Sequence, residues 1–333
     1  MSNRITRGEG LFGRIQTETL AVGGREVGVL PFTGKTFFVD PLNGSDSYSG
    51  KSLAQAFATL PAGYAALTSG ANDVLVLVGN GAAAGSAFLD EGLTWAKNAA
   101  HMIGIAAPGQ LSQRARIAPT AAVTAFANLF TVSGAGCYFG NVSWVHEFTT
   151  GMAAQICMTI TGVRNVFDGC HLAGMVDAAS AASTTSRSLL ISNAGENYFN
   201  RCTIGVDTIA RGVANASVQI AGGSPRNVFR DCIFPFWSSA GDCLGVIVAA
   251  AAGSDRFQLF DRCLFVNAVK STGTTMTALC TLAASMGGML VFKDCCLIGI
   301  TGFGSDATSR GQIYIEGGTP ATASTGLAVA PTA

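Results

Sequence analysis

Five cysteines occur in a repeated pattern, and thiols are among the side chains that bind metals or form covalent links. In each copy a Phe lies three residues before the Cys, and an apolar residue lies two after it. The stretches are RNVFDGC, ENYFNRC, RNVFRDC, FQLFDRC and LVFKDC, with Cys170, Cys202, Cys232, Cys263 and Cys295 after Phe167, Phe199, Phe229, Phe260 and Phe292. Three interpretations are open: a metal site, a disulfide framework, or a structural role for small buried side chains.

The spacing of these cysteines argues against the first two interpretations. They lie about 31 residues apart, the chain has no CxxC pair, and adjacent Cys295 and Cys296 are poorly placed to chelate one tetrahedral ion. Cysteines stacked in neighbouring repeats would run parallel rather than point at each other, and the N-terminus lacks the apolar segment of a signal peptide. We therefore expect free buried thiols that act as small hydrophobic side chains, with no metal or cofactor.

Carboxylates in the same repeats are the candidates for acid–base chemistry. Glycoside hydrolysis needs two carboxylates roughly 5–10 Å apart. Asp231, Asp261 and Asp294 lie between the Phe and the Cys of three successive repeats, so they are the candidate catalytic residues if the protein is an enzyme. The alternative is that they form turns at a solvated corner and pair with Arg and Lys from neighbouring repeats. We favour this salt-bridge lattice and assign no catalytic residue.

An oxygen-rich turn lies near the N-terminus. Asp40, Asn43, Ser45 and Asp46 could in principle surround a Ca²⁺ ion, but their spacing is not that of an EF-hand. We expect an Asx-turn that caps the start of the fold.

The three histidines give no catalytic pattern. His101, His146 and His171 have no Ser or Cys nearby that would build a triad. His171 follows Cys170 directly, so we expect it to point outward beside its strand.

Large aromatic side chains could form a binding patch. Trp95, Trp144, Trp237 and the segment 234–237 (FPFW) could stack on sugars or fill a subunit interface. Burial within the fold is an equally good interpretation of the sequence.

The elements that position these residues are short repeated strands. The sequence predicts a first strand in segments 101–109, 128–136, 155–162, 187–195, 216–223, 244–253, 278–288 and 311–318. From the second unit to the seventh, a second strand containing the Phe–Cys stretch, or Val142 in place of the Cys, follows at once. Repeats of about 31 residues with short strands and sharp turns indicate a parallel β-helix. The polar residues between Phe and Cys suit a bend, which would let both side chains point inward.

The predicted fold class is all-β, a right-handed parallel β-helix solenoid of about eight coils with a short N-terminal capping helix. Residues 53–67 are the helix candidate, and Pro61 is expected to interrupt it. We expect an N-terminal arm at residues 1–35, the β-helix at 36–318 and a C-terminal tail at 319–333.

Two phrases resemble pectate-lyase-like right-handed β-helix proteins, which include many tailspikes and other virion proteins of tailed phages. The first is FFVDPLNGSDSYSGKSLAQAFATL followed by DVLVLVGNG, and the second is the repeated N-V-x-F-x-x-C-x-F pattern. The resemblance covers roughly residues 36–318 and implies the fold and a homotrimer. It transfers no catalytic residue, because this fold carries lyases, hydrolases and purely structural proteins.

The amino-acid composition argues against nucleic acid and membranes as binding partners. Lys and Arg together number 20, as do Asp and Glu, and no basic run suggests nucleic-acid binding. No apolar stretch is long enough to span a membrane. Charged residues make up only 12% of the chain, which suggests that partners cover much of the surface.

Two functions remain open. We expect a structural virion protein, a capsid decoration, cement or head-spike protein that is assembled in the host cytoplasm and docks by its arm on capsid or other virion proteins. The alternative is a tailspike-type enzyme or lectin that acts on bacterial surface polysaccharide.

Overall fold

The computed structural model is a parallel β-helix, as the sequence predicts. The structure describes residues 20–22, 25–27, 33–79, 85–106, 115–120, 126–147, 154–268, 273–304, 312–316 and 327–328. Each coil passes through three parallel sheets, and each strand pairs with its equivalents in the coils before and after it.

The strands are short. In chain order they are β1 (Leu20–Val22), β2 (Arg25–Val27), β3 (Thr36–Val39), β4 (Val74–Val78), β5 (Ala87–Leu89), β6 (Leu93–Trp95), β7 (His101–Ile105), β8 (Ala115–Pro119), β9 (Asn128–Val132), β10 (Tyr138–Gly140), β11 (Val142–Val145), β12 (Ile156–Ile160), β13 (Val166–Asp168), β14 (His171–Ala173), β15 (Arg187–Ser192), β16 (Tyr198–Asn200), β17 (Thr203–Ile204), β18 (Ala216–Ala221), β19 (Val228–Arg230), β20 (Ile233–Phe236), β21 (Leu244–Val248), β22 (Phe257–Asp261), β23 (Leu264–Asn267), β24 (Cys280–Leu282), β25 (Met289–Lys293), β26 (Cys296–Ile298), β27 (Ile313–Glu316) and β28 (Leu327–Ala328).

The three sheets differ in length. The long sheet has 11 strands in the order β3-β4-β7-β10-β13-β16-β19-β22-β25-β27-β28. The second sheet has eight, β5-β8-β11-β14-β17-β20-β23-β26, and the third has seven, β6-β9-β12-β15-β18-β21-β24. Only seven coils of the described chain therefore reach all three sheets, slightly fewer than the eight predicted.

Two predicted first strands belong to a different sheet from the other six. β7 and β27 lie in the long sheet, where Met102 is in register with Phe139 and Ile315 with Phe292. The other predicted first strands lie in the third sheet. Strands of both sheets read as similar short apolar runs, so sheet membership follows from the stacking of coils rather than from composition.

A left-handed residue turns the chain from the long sheet into the second sheet. The residue just before the Cys position has a positive φ in six successive coils: Asn141 53°, Gly169 60°, Arg201 52°, Asp231 52°, Arg262 52° and Asp294 49°. A straight strand would send residues three apart to opposite faces. Because of this bend, Phe167 and Cys170 both point into the core, and each is 0% exposed.

Phenylalanine rings stack along the core at this bend. Ring centroids of successive coils, from Phe139 through Phe167, Phe199, Phe229 and Phe260 to Phe292, lie 4.6 to 4.9 Å apart. This spacing matches the separation of neighbouring strands in a sheet. The rings are nearly parallel, so the stack repeats one packing contact in every coil.

A short helix closes the N-terminal end. It is α1 (Leu60–Ala66), shorter than the predicted 53–67, and a 3-10 turn at Leu53–Gln55 precedes it. Pro61 lies in the first turn, where its missing N–H is tolerated, so it helps to start the helix rather than interrupt it. Gly63 lies against the core, where a Cβ would be 2.4 Å from a methyl of Val39.

Asp46 and Asp40 organise the turn before this helix. The Asp46 carboxylate accepts hydrogen bonds from the backbone N–H groups of Ala58 and Thr59, both at 2.9 Å. Asp40 accepts from Leu42 and Asn43 at 3.0 and 3.1 Å, which is the geometry of an Asx-turn.

The arm and the tail are only partly described. β1 and β2 form a small antiparallel pair within residues 1–35, and β28 pairs with β27 at the edge of the long sheet. Apart from residues 33–35, the other residues of both segments lie outside the described chain, so the domain division remains a prediction. A second, unpredicted helix, α2 (Ala178–Ala181), is capped by Asp177. Among the described residues, no helix is long and apolar enough to cross a membrane.

Candidate functional site

The outer face of the long sheet carries two parallel columns of side chains. In-register positions of successive strands form the Tyr/Val column, which is half-buried: Tyr138, Val166, Tyr198, Val228, Leu259, Val291 and Tyr314. Two residues further along, the six strands after β10 carry the polar column: Asp168, Asn200, Arg230, Asp261, Lys293 and Glu316. The left-handed bend residues follow directly, so the candidate acids lie at the border between two sheets.

Asp231 and Asp261 are bound to the same guanidinium. Arg262 donates to Asp231 with Nε at 2.8 Å and Nη2 at 3.0 Å, and its Nη1 lies 3.2 Å from Asp261 Oδ2. Arg230 donates to the same Asp261 oxygen at 2.8 Å. The Asp261 side chain is 4% exposed, so two cations surround a nearly buried carboxylate.

A second cluster surrounds Asp168. Arg201 contacts both carboxylate oxygens, at 2.7 and 2.8 Å, and the Asn200 side-chain amide donates at 3.0 Å. The Tyr138 hydroxyl also donates to Asp168, at 3.2 Å. Burial and the Asp168 charge raise the pKa of Tyr138, so this hydroxyl stays protonated as a donor.

Asp294, the third candidate acid, is separate from both clusters. It is exposed at the last described bend and makes no ion pair within the described residues, although its backbone N–H lies 3.4 Å from Glu316 O. Lys293 and Glu316 form the nearest ion pair, at 3.8 Å. The structure therefore joins Asp231 and Asp261 but leaves Asp294 apart.

Arg262 brings two of the three candidate acids together. Asp231 and Asp261 share one guanidinium, which places them within the roughly 5–10 Å needed for glycoside hydrolysis. However, Arg230 and Arg262 donate to both oxygens of Asp261, and Arg262 donates to both oxygens of Asp231. Among the described residues, no His, Cys, Asp or Glu cluster could hold a metal ion.

The repeated cysteines line the core just inside these bends. Each Sγ donates to the backbone carbonyl of the repeated Phe in an earlier coil; Cys202 Sγ, for example, lies 3.4 Å from Phe167 O. All ten cysteines are free: Cys296 is exposed, Cys295 is half-buried and the others are buried. The described thiols thus act as small packing groups.

The histidines are buried. His171 is 5% exposed and its Nε2 lies 3.1 Å from Gly205 O, so a neighbouring coil covers it. Burial lowers the pKa of His101 to about 4, against an opposing effect of Asp73. Burial likewise lowers the pKa of His146 to about 4, although backbone carbonyls oppose this.

The tryptophans do not form a surface patch. Trp95 and Trp144 are 0% exposed and pack on Phe130, while Phe234 and Phe236 lie in the core. Trp237 is half-buried. Of the two interpretations of these aromatics, the structure favours burial.

A ladder of buried amides escaped the sequence analysis. Asn197 Oδ1 accepts from the backbone N–H of Asn165 at 2.9 Å, and Asn227 Oδ1 accepts from that of Asn197 at 3.0 Å. Gln258 continues the series, with its Oε1 3.3 Å from the N–H of Asn227. The signal was present in the sequence, since each of these amides lies two residues before a repeated Phe.

Comparison with known proteins shows the fold alone. No family model and no curated protein matches the chain. Among solved structures it is similar to pectate lyase Pel9A, with TM-score 0.56 and 15% identity over 85% of this chain and 68% of that one. It is equally similar to a pectin methylesterase in complex with a hexasaccharide, with TM-score 0.56 and 17% identity over 90% and 94% of the two chains.

A phage tailspike protein from an Escherichia coli O157:H7 bacteriophage matches less well, with TM-score 0.41 and 7% identity over 73% of this chain and 38% of that one. That likeness is too low to support an argument. The chain therefore has the parallel β-helix fold of the pectate-lyase-like proteins.

Proposed function

We propose that this protein is a non-catalytic structural component of a tailed-phage virion, a capsid decoration or cement protein that works as a homotrimer. The observation that carries the non-catalytic part is the binding of both Asp231 and Asp261 to Arg262. The virion part rests on the resemblance of the segment after residue 36 and on the arm and tail that flank the β-helix.

The network supports a structural role because its charges are satisfied within the chain. Each carboxylate of the two clusters has at least one guanidinium partner. A glycosidase instead needs one carboxyl that can donate a proton and another that can reach water or sugar. Alternating charges on successive coils tie those coils together, which suits a rigid rod.

The Tyr/Val column supports self-association. Seven in-register side chains, all half-buried, form an apolar stripe along the outer face of the long sheet. Such a stripe, bordered by the polar column, suits an interface between copies. The arm would then contact the capsid, while the rods pack on each other.

A capsid-binding assay tests this proposal. The full chain is mixed with capsids assembled without it, and cosedimentation and the capsid melting temperature are measured. We expect binding and a higher capsid melting temperature. A variant lacking residues 1–19 should keep its β-sheet circular dichroism and its own unfolding midpoint but lose binding. The proposal would be refuted if the chain is monomeric, does not cosediment with capsids and does not raise their melting temperature.

Binding of surface polysaccharide is a second candidate, favoured by one observation. Tyr138 and Tyr198 lie half-buried beside hydrogen-bonding groups of the polar column, and Arg230 lies over the Tyr198 ring at 5.8 Å. Aromatic rings of this kind can stack on sugar rings.

Polysaccharide binding and cleavage can be measured together on a panel of bacterial surface polysaccharides. If this candidate is right, Tyr198→Ala should lose binding, while Tyr48→Ala, which alters an exposed tyrosine near the capping turn, should not. Release of reducing ends by the wild type, abolished when Asp231, Asp261 and Asp294 are all changed to Asn, would show that the protein is an enzyme.

A further inference from the structure

Among the described residues, two arginines are buried and have no carboxylate partner. Every other arginine whose side chain is described pairs with an Asp or Glu, and those side chains are between 26% and 70% exposed. Arg187 and Arg211 are 5% and 2% exposed and have no such pair within the described residues. The two buried guanidiniums are therefore the two that lack a carboxylate. An unpaired charge costs more in the core than at the surface, so the opposite distribution would be expected.

Arg187 is satisfied by hydrogen bonds even though its charge is not neutralised. Its Nε donates to Gln219 Oε1 at 3.0 Å, and its Nη1 donates to the carbonyls of Thr184 and Ser186 at 2.8 and 2.6 Å. Burial, and then the positive charge of Arg211, lower the pKa of Arg187 to about 10. It stays charged at neutral pH and adds positive potential around Arg211.

Arg211 is only partly satisfied. Of its five N–H groups, one donates to Leu244 O at 3.3 Å, and Nη1 lies 3.9 Å from the Met175 sulfur, which is a weak acceptor. Its Nε has no partner within the described residues. The Phe236 ring lies 5.1 Å from the guanidinium carbon. Burial lowers the pKa of Arg211 to about 10, so this group also remains a cation.

A thiol also lies beside Arg211. Cys243 Sγ donates to the backbone carbonyl of Arg211 at 2.9 Å. A buried cation without a counter-charge is strongly destabilising. A negative group beside the guanidinium, where Nε has no partner within the described residues, would remove this cost.

We propose that Arg211 binds a small inorganic anion of the halide class inside the β-helix, in the corner between the second and third sheets. The Arg211 guanidinium contacts Met175 of the coil before it and Phe236 and Leu244 of the coil after it. Its apolar surroundings offer few donors, so a weakly hydrated monatomic anion fits better than phosphate or a carboxylate, whose several oxygens would need partners. The bound anion would link three coils at this corner. Arg211 and Ser238 of the next coil form a parallel backbone β-bridge there.

Halide dependence of stability tests this site. The full chain is unfolded and refolded in sodium gluconate, chloride or bromide at one ionic strength, and its thermal midpoint is measured. We expect a midpoint about 2–4 °C higher in either halide than in gluconate. Crystals grown in bromide should show an anomalous peak within hydrogen-bonding distance of the Arg211 guanidinium.

Two substitutions make the test specific. Arg211→Met removes the charge and can pack among the apolar neighbours, so it should fold and lose the halide response. Arg226→Met removes an exposed arginine paired with Glu196 and should keep that response. If Arg211→Met does not fold, the wild-type midpoints and the bromide peak still decide the question.

Either of two results would overturn the proposal. One is equal wild-type stability in all three salts with no bromide peak. The other is a thiolate absorbance in the native protein that disappears in Cys243→Ala, which would assign the counter-charge to that sulfur.

Discussion

The side-chain oxygen of Asn227 lies 3.0 Å from the backbone N–H of Asn197, one coil earlier, and accepts its hydrogen bond. Asn197 does the same for Asn165 at 2.9 Å and donates its own amide to Gly162 O at 3.2 Å. All three asparagines are at most 1% exposed. The ladder therefore satisfies backbone groups at a corner where no strand pairing is available.

Asn197→Ala should lower the free energy of unfolding by about 2–4 kcal/mol, because it leaves a buried N–H and a buried C=O without partners. Denaturant unfolding measures the loss. Asn128→Ala is the control: Asn128 is exposed, and its one side-chain hydrogen bond to a described residue is accepted from the Thr159 hydroxyl at 3.3 Å, so that change should be nearly neutral. Equal losses in the two variants would contradict the ladder's role.

The two candidate acids that share Arg262 should differ in their contribution to stability. Asp261→Ala should lower the unfolding free energy by about 1–3 kcal/mol, because a nearly buried carboxylate loses charge-assisted hydrogen bonds. Asp231 is 40% exposed, so Asp231→Ala should cost much less, and its effect should shrink further in high salt. Urea unfolding at low and high salt compares them, and a larger loss for Asp231 would show that the network is assigned wrongly.

Acid should destabilise the fold through buried histidines. The pKa of His101 and that of His146 are about 4 when folded, against about 6.5 when unfolded. Between these values the unfolded chain binds more protons, so stability is full above pH 6.5 and falls as pH drops toward 4. Each histidine should contribute up to about 3 kcal/mol to this loss.

Unfolding free energy measured from pH 7 to pH 4 checks this expectation. A His146→Gln variant keeps a polar group near the carbonyls of Phe126 and Ile156 but cannot titrate. Its profile should be flatter than that of the wild type. An unchanged slope in this variant would exclude His146 as a source of the acid sensitivity.

One cysteine should react with a thiol reagent much faster than the other nine. Cys296 is exposed, Cys295 is half-buried, and the remaining cysteines are buried. A thiol reagent should therefore modify one group per native chain rapidly, and Cys296→Ser should abolish that fast phase. Rapid modification of several thiols would mean that the core opens more readily than its packing suggests.

The repeated Cys position should accept a small apolar residue. Val142 occupies the equivalent place in an earlier coil and is 0% exposed. Cys232→Val should therefore change stability by less than about 1.5 kcal/mol, whereas Cys232→Leu should overpack the corner and cost about 1–3 kcal/mol. Thermal and chemical unfolding of the two variants test this order, and its reversal would point to a specific need for sulfur.

Much of the architecture could be predicted because its signal is local and repeated. The Phe–Cys stretches predicted both the coil period and an inward bend, and the structure places Phe167 and Cys170 together in the core. Each coil of a solenoid makes the same core contacts with its neighbours, so the same residue types recur at the same spacing. The amide ladder lay within the same stretches and was missed because Asn is also an ordinary turn residue.

Other features depended on contacts between segments far apart in sequence. Whether β7 belongs to the long sheet or the third sheet is decided by the strand on which it stacks. Burial of Trp95, Trp144 and His171 depends on neighbouring coils and the turns between them. The sequence of one strand does not indicate which coils will cover its side chains.

The sequence by itself determined the repeat, the bend and the small side chain required at each Cys position, because these follow from local spacing and side-chain size. Only the tertiary structure decided that Asp231 and Asp261 share Arg262 while Asp294 stands apart, and that Arg211 lies in the core with no carboxylate partner among the described residues. Charges act over a few ångströms in space, and only the stacking of coils decides which residues come within that distance.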